Sequence, residues 1–160
     1  MFSITIEPYN YSPTQFDQIT YLCRDFEFFR YYLEYFQDRY YKVWIAQIQL
    51  QDKMIIAGVI VMARHSFNLY GDFLWVDQDF RNQGIGNQLL QFVEKYAIEN
   101  GYRALIGETP ETDVGAQRLY QKNGASLFGS SEPLYADPFK MLMFRKKFPE
   151  NLDSPKNITE

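Results

Sequence analysis

The stretch Leu74-Trp75-Val76-Asp77-Gln78-Asp79-Phe80-Arg81-Asn82-Gln83-Gly84-Ile85-Gly86 constrains the fold more than any other part of this sequence. It reads as the end of an apolar strand, a short polar loop with two glycines, and the start of a helix. From Gly84 to Asn100, Ile85, Leu89, Phe92, Val93, Tyr96 and Ala97 recur at helical spacing and make one apolar face. Asn100-Gly101 is a suitable C-terminal stop for that helix. A strand that turns tightly into an amphipathic helix belongs to a mixed α/β architecture. The turn also has a chemistry. Glycines let the backbone approach a ligand without a Cβ in the way. The first amides of a helix have no partner inside it, and the helix dipole adds positive potential there. The pattern therefore suits a pyrophosphate group, with Arg81 able to add a charge-assisted contact.

Two other phosphate-binding patterns do not fit. A dinucleotide fingerprint needs a third glycine, whereas Asn87, Gln88 and Leu89 follow Gly84-Ile85-Gly86. A triphosphate loop needs Gly-Lys-Ser/Thr, a tripeptide absent from the chain. By itself, Gly-x-Gly before a helix also serves ordinary tight turns.

Around this segment the chain punctuates itself clearly. Ser3 to Ile6 alternates polar and apolar residues up to Pro8, which suits a short strand. Ser12-Pro13 opens a helix through Phe16, Ile19 and Leu22 or Cys23, with Ser12 as cap. A second helix is expected over Asp25 to Asp38. There Phe26, Phe29, Leu33 and Phe36 share one face, and Phe28, Tyr32 and Tyr35 form a second stripe. That second stripe is either core or the wall of an acceptor pocket or dimer contact. Strands follow at Lys42 to Leu50, Met54 to Ala63 and Leu69 to Val76, separated by a turn at Gln51-Asp52-Lys53 and a connection over Arg64 to Asn68. After the Gly84 helix come a strand at Arg103 to Ile106 and a helix capped by Glu111 or Thr112 that stops at Asn123-Gly124. Closing strands are expected at Ser126 to Phe128 and Phe139 to Phe144. From Pro149 onward the chain is polar and aperiodic, so a domain over 1–148 and a flexible tail over 149–160 are expected.

Composition narrows the function classes. Hydrophobic residues are 46% and charged residues 22% of 160, enough to bury a core in a single domain. A net charge of −4 argues against nucleic acid as the main partner, since phosphate backbones want a basic face. No apolar run reaches membrane-spanning length, and the first residues lack a signal-peptide pattern, so a cytoplasmic protein without a membrane partner is expected. Cys23, the only cysteine, excludes an internal disulfide and is either a reactive thiol or a buried helix-face residue. His65, the only histidine, lacks partners at metal-site or triad spacing, so no metal is expected and the residue reads as part of a solvated loop.

The combination of motifs is more specific than any one of them. Arg81-Asn82-Gln83-Gly84-Ile85-Gly86 resembles the Arg/Gln-x-x-Gly-x-Gly/Ala loop of the GNAT acyltransferase superfamily, with Val76 where that family has a valine ending its fourth strand. Ala116-Gln117-Arg118-Leu119-Tyr120-Gln121-Lys122-Asn123-Gly124-Ala125 resembles the family's Ala-x-x-Leu-Tyr-x-Lys-x-Gly-Phe segment. The order of elements is similar too, through Phe148. The resemblance implies a GNAT-like α/β fold (α+β mixed), with a central, mostly antiparallel sheet of about seven strands flanked by four helices.

It also implies roles. Amides of Arg81, Asn82, Gln83, Gly84, Ile85, Gly86 and Asn87 would hold the pyrophosphate of acetyl-CoA, and the backbone of Val76 and Asp77 would pair with its pantetheine arm. Ala116 and Asp113 fall in the same family site. Asp113 stands where asparagine is frequent, seven residues before Tyr120, and an ionised carboxylate has no donor to offer. Tyr120 matches the tyrosine that protonates the departing thiolate; without the resemblance it reads as a core-facing aromatic. The amine nucleophile needs a proton acceptor, for which Asp72 and Glu108 are the best-placed carboxylates and Glu111 a third, with a water chain as the alternative. The expected activity is N-acetyl transfer from the cosubstrate acetyl-CoA to an amine of a small molecule or peptide, by direct attack in a ternary complex. The alternatives are a regulatory acyl-CoA-binding module without turnover and a transferase for a longer acyl chain. A homodimer is compatible with the sequence.

Overall fold

The computed structural model describes residues 3–26, 29, 35–132 and 140–149. Its elements are β1 (Ile4–Pro8), α1 (Pro13–Leu22), β2 (Lys42–Leu50), β3 (Lys53–His65), β4 (Asn68–Val76), α2 (Ile85–Glu99), β5 (Ala104–Pro110), α3 (Val114–Lys122), β6 (Ser126–Ser131) and β7 (Met141–Lys147). The seven strands form one sheet in the order β1-β2-β3-β4-β5-β7-β6. The β1/β2, β2/β3, β5/β7 and β6/β7 pairs are antiparallel, and β4/β5 is parallel. The expected mixed, mostly antiparallel sheet of seven strands is therefore present.

By internal contacts the chain forms two units, one of residues 1–63 and 72–92, the other of residues 64–71 and 93–160. In the first, α1 starts as its sequence demands. Ser12 accepts the Gln15 N–H on its hydroxyl at 3.2 Å, and Pro13 occupies the first helical position. Ile19, Leu22 and Cys23 point into a core with Val43 and Ile45 of β2 and Val59 and Val61 of β3. Phe29, Phe36 and Phe73 complete it, their rings 5.7 to 6.2 Å apart. The opposite face of the same strands meets α2, where Trp44 and Phe92 pack edge to face at 6.1 Å. Residues 56–62 of β3 are buried without interruption, as befits a strand covered on both faces. A bulge interrupts its pairing with β2: Ala46 faces Gly58 and Gln47 faces Ile56, so Ala57 has no opposite number.

In the second unit, β5 pairs in parallel with β4 from Asn68↔Ala104 to Gly71↔Gly107 and antiparallel with β7 along its whole length. The end of α2 is closed by Gly101 at φ +75, with the Tyr102 N–H donating to the Ala97 carbonyl at 2.9 Å. Leu69, Val93, Ala97, Ala104, Ile106 and Phe144 are buried here. An ion pair between Lys146 and Glu94 at 2.6 Å ties β7 to α2.

Four expectations need correction. Among the described residues there are three α-helices rather than four. Much of the expected Asp25–Asp38 helix, including Phe28, Tyr32 and Leu33, lies outside the described residues. Its described members Phe29 and Phe36 are buried, and Tyr35 packs half-buried against the same core. The β5 strand runs to Pro110 instead of ending at Ile106. The segment Gly107-Glu108-Thr109-Pro110 has weak strand propensity of its own, and register with β7 from Phe144 to Met141 carries it. His65 is not in a loop but ends β3, exposed, with its ring 5.5 Å from that of Tyr70. The α3 cap is Asp113 rather than Glu111 or Thr112. Expectations for Phe139 and for residues 150–160 lie outside the described residues. No described helix is long and apolar enough to cross a membrane.

Candidate functional site

The expected site residues fall into two groups, each built inside one unit. The first is the connection from β4 to α2. Val76 ends β4, and Asp77 then caps a single 3-10 turn over Gln78–Phe80 by accepting the Asp79 N–H at 2.9 Å. Asp77 is the buried acid among the described residues of this unit. Its other carboxylate oxygen takes a 3.1 Å ion pair from Arg24, just after α1, and its own N–H donates to the Ala57 carbonyl at 3.0 Å. The bulge residue of β3 thus receives the first residue after β4. Arg24 also holds the Tyr21 carbonyl at 2.9 Å and covers the Tyr21 ring, while the Trp75 indole donates to the Leu22 carbonyl at 3.1 Å. The end of α1 and the end of β4 are therefore stitched together by one arginine and one tryptophan.

Arg81 is anchored as well. Its Nε donates to the Val76 carbonyl at 3.0 Å, and its guanidinium lies 4.8 Å from the centre of the Trp75 ring. These contacts fold the loop back on the strand that feeds it. Asn82 and Gly84 then adopt left-handed conformations, φ +61 and +86, and α2 begins at Ile85. The Gln88 N–H donates to the Gly84 carbonyl at 3.0 Å, so Gly84 is the N-cap and brings no side chain to the amides that follow. The first turn of α2 carries no acidic residue. An ideal Cβ on Gly84 would meet nothing within 4 Å. The outcome is a helix N-terminus with no acid in its own first turn and open space beside its glycine cap, an arrangement that suits a phosphate anion.

A second glycine, one that sequence reasoning missed, seats this turn. A Cβ on Gly58 of β3 would lie 2.8 Å from Cγ2 of Ile85 and 3.2 Å from Cδ1 of Leu89. Ile85 is fully buried, so the first residue of α2 rests directly on the β3 backbone at Gly58. Its only sequence signal was a glycine inside an apolar strand.

The second group gathers around α3. Asp113 accepts the Ala116 N–H on its carboxylate at 2.9 Å, so the two residues expected to bind cofactor serve here as cap and capped amide. Tyr120 is half-buried against Phe144, ring centres 5.4 Å apart. Its hydroxyl donates to the Glu108 backbone carbonyl at 3.4 Å, a long bond that commits the proton only weakly. Burial, and then the negative charges of Asp113 and Glu108, push the Tyr120 phenol up to about 12. At neutral pH it is a proton-bearing hydroxyl. The Glu108 side chain is exposed, and Asp72 is half-buried on the part of β4 that belongs to the first unit. The structure thus brings Tyr120, Glu108 and Asp113 together around one phenol.

Cys23 is buried, and burial followed by the charge of Asp77 pushes its thiol up to about 12. It is an inert core residue rather than a nucleophile. Among the described residues no three His, Cys, Asp or Glu side chains cluster in a way that would hold a metal ion.

The sequence model of the acetyltransferase (GNAT) family matches residues 10–125. No curated protein matches the chain in sequence. Among solved structures, Arabidopsis thaliana NAA60 in complex with a bisubstrate analogue superposes with a TM-score of 0.79 at 19% identity, covering 92% of this chain and 100% of that one. The ribosomal-protein-S18-alanine N-acetyltransferase of Escherichia coli gives 0.74 at 18% identity, over 94% and 99% of the two chains. A GNAT family acetyltransferase from Elizabethkingia anophelis with acetyl-CoA bound gives 0.67 at 24% identity, over 91% and 98%. At these identities the likeness is one of fold.

Proposed function

Because this chain belongs to the GNAT acetyltransferase family, we propose that it moves an acetyl group from acetyl-CoA to an amine of a small molecule or peptide. The observation that carries the reading is the N-terminus of α2. It has a glycine cap, no acid in its first turn and room for a ligand beside it. A pyrophosphate supplies the charge that this end of the helix lacks, and the fold neighbour with bound acetyl-CoA supports that choice of donor.

In this reading the loop amides from Arg81 to Asn87 bind and orient the donor, and the backbone at Val76 and Asp77 flanks its pantetheine arm. Part of that flank is occupied within the protein, because the Val76 carbonyl receives Arg81 and the Asp77 N–H donates to Ala57. The acceptor amine loses its proton to a carboxylate, Asp72 or Glu108, or to a water chain, and attacks the thioester carbonyl. A C–N bond forms, the C–S bond breaks, and the departing thiolate takes the Tyr120 phenolic proton, which solvent later replaces. Tyr120 is suited to this because its proton stays in place across the neutral range. No covalent acyl-enzyme is needed, in keeping with the buried thiol of Cys23.

The direct test is release of free thiol from acetyl-CoA across a panel of amines, with mass spectrometry of the product. Thiol release that depends on one class of amine, with an acetylated product, is the expected result. Tight acetyl-CoA binding with no acetylated amine in any class would leave a regulatory binding module instead. Turnover should rise with pH as the amine or its base deprotonates. Asp72→Asn and Glu108→Gln, each compared with the parent over that range, identify the base. If both keep the parental profile, neither is the base, and Glu111 or a water chain carries the proton.

A further inference from the structure

The Tyr120 ring lies directly on the β5 backbone, and the residue beneath it is Gly107. An ideal Cβ there would stand 3.1 Å from Cζ, 3.2 Å from the hydroxyl oxygen and 3.3 Å from Cε1 of Tyr120. All three are atoms of the phenol's polar end. Gly107 pairs with Phe144 on β7, whose ring also contacts Tyr120, so the strand pair meets the tyrosine with a bare backbone on one strand and an aromatic on the other. Nothing about the strand itself asks for glycine. Gly107 does not carry a left-handed φ, unlike Gly84, Gly101 and Gly124, and glycine inside a strand is a local cost. A residue that lowers strand stability at the one point where the phenol rests has its explanation in the phenol.

We propose that Gly107 is a positioning residue for Tyr120: its missing side chain sets where the phenolic hydroxyl sits, and hence how well that hydroxyl reaches a departing thiolate. The inference rests on the reading of Tyr120 as the proton donor. Any side chain at position 107 forces the phenol away by a few tenths of an ångström, lengthening a hydroxyl contact that is already 3.4 Å. Proton transfer is sensitive to displacements of that size, whereas donor binding on the α2 loop is not addressed by Gly107.

The test is a double-mutant cycle on the full chain, with Gly107→Ala, Tyr120→Phe and the pair, read by kcat, KM for acetyl-CoA and thermal melting. Gly107→Ala should lower kcat about tenfold while KM for acetyl-CoA and the melting temperature stay near parental. Added to Tyr120→Phe it should cost less than about twofold more, since no hydroxyl is left to misplace. Gly129→Ala on β6 is the matched control: its added Cβ meets only the Met143 sulfur, at 3.8 Å, and it should keep parental kcat. Parental kcat in Gly107→Ala, losses that multiply in the double variant, or an equal loss in Gly129→Ala would each overturn the proposal. So would a Gly107→Ala protein that fails to fold, which would make Gly107 a scaffold residue. Failure of the underlying reading looks different, because Tyr120→Phe alone would then turn over at the parental rate.

Discussion

The N-termini of α2 and α3 present the same backbone chemistry and are finished in opposite ways. Each helix starts with amides that have no partner inside it. At α2 the cap is Gly84, the first turn has no acid, and the turn borders open space. At α3 the cap is Asp113, whose carboxylate takes the Ala116 N–H at 2.9 Å and places a negative charge at the positive end of the dipole. One end has no acid of its own in the first turn, and the other is completed by the chain's own anion. The residue of α3 proposed to act in transfer lies instead two turns along the helix, at Tyr120. The same secondary structure thus has an open N-terminus in one unit and a self-capped one in the other, and in the proposed function the first binds while the second mounts Tyr120.

The largest effect should come from the mount. Tyr120→Phe removes one hydroxyl and leaves the ring on Phe144. Turnover should fall roughly ten- to a thousandfold with acetyl-CoA affinity little changed, the pattern of a group acting in the transition state. Steady-state kinetics alongside calorimetry on the same protein decides this. A Phe variant with parental kcat would remove Tyr120 from the mechanism.

Next comes the open end. Gly84→Val places a Cβ and a branched side chain at φ +86, beside the turn that would receive phosphate. Acetyl-CoA affinity should drop by about an order of magnitude or more. Gly86→Val, two residues along, should act in the same direction. Gly101→Val imposes similar strain, φ +75 with nothing within 4 Å, at the other end of the same helix. It should lower the melting temperature and leave affinity alone. Equal affinity loss at positions 84 and 101 would show that strain, not ligand access, explains the glycine. Gly58→Ala should weaken binding severalfold by displacing Ile85 from β3, measured by the same titration.

The closed end should give a smaller and purely structural effect. Asp113→Ala removes the α3 cap and should destabilise the fold by about 1 kcal/mol, read by urea unfolding. Asp113→Asn keeps a capping oxygen and should recover most of that loss. A fall in acetyl-CoA affinity in Asp113→Ala would make this carboxylate a ligand as well as a cap and would blur the contrast between the helices.

The smallest effect is in the pH dependence of stability. The Tyr120 phenol is held up to about 12 in the folded protein, against about 10 for a tyrosine in an unfolded chain. Between those values the unfolded chain releases a proton that the folded protein keeps, so stability falls as pH rises through the window. Below about pH 10 the two states hold the proton alike, and nothing changes. The stability of the parent should therefore fall relative to Tyr120→Phe between pH 9 and pH 11, as measured by urea unfolding of both proteins.

Much of this was legible in the residues. Period-two and period-3.6 patterns, with Ser12-Pro13 at one start and Gly101 and Gly124 after two ends, located most strands and all three described helices to within a few residues. The strand, glycine turn and amphipathic helix around Gly84 were legible because a glycine-capped helix start follows from local sequence alone. The choice of Asp113 over Glu111 or Thr112 as cap was not legible. All three precede the same helix, and only the point where β5 releases the chain selects among them.

The sequence by itself determined the class of fold and the glycine-capped start of α2, since both depend on neighbours within a few residues along the chain. Tertiary structure alone decided how far β5 extends, what packs against Gly58 and Gly107, and which partners surround Tyr120. Those facts rest on contacts between residues distant in sequence: β7 carries Gly107 to Pro110 as a strand, Ile85 rests on Gly58, and a phenol lies against a strand backbone with its proton held by burial and by the charges of Asp113 and Glu108. A glycine announces that something must come close, but only the packed chain shows what does.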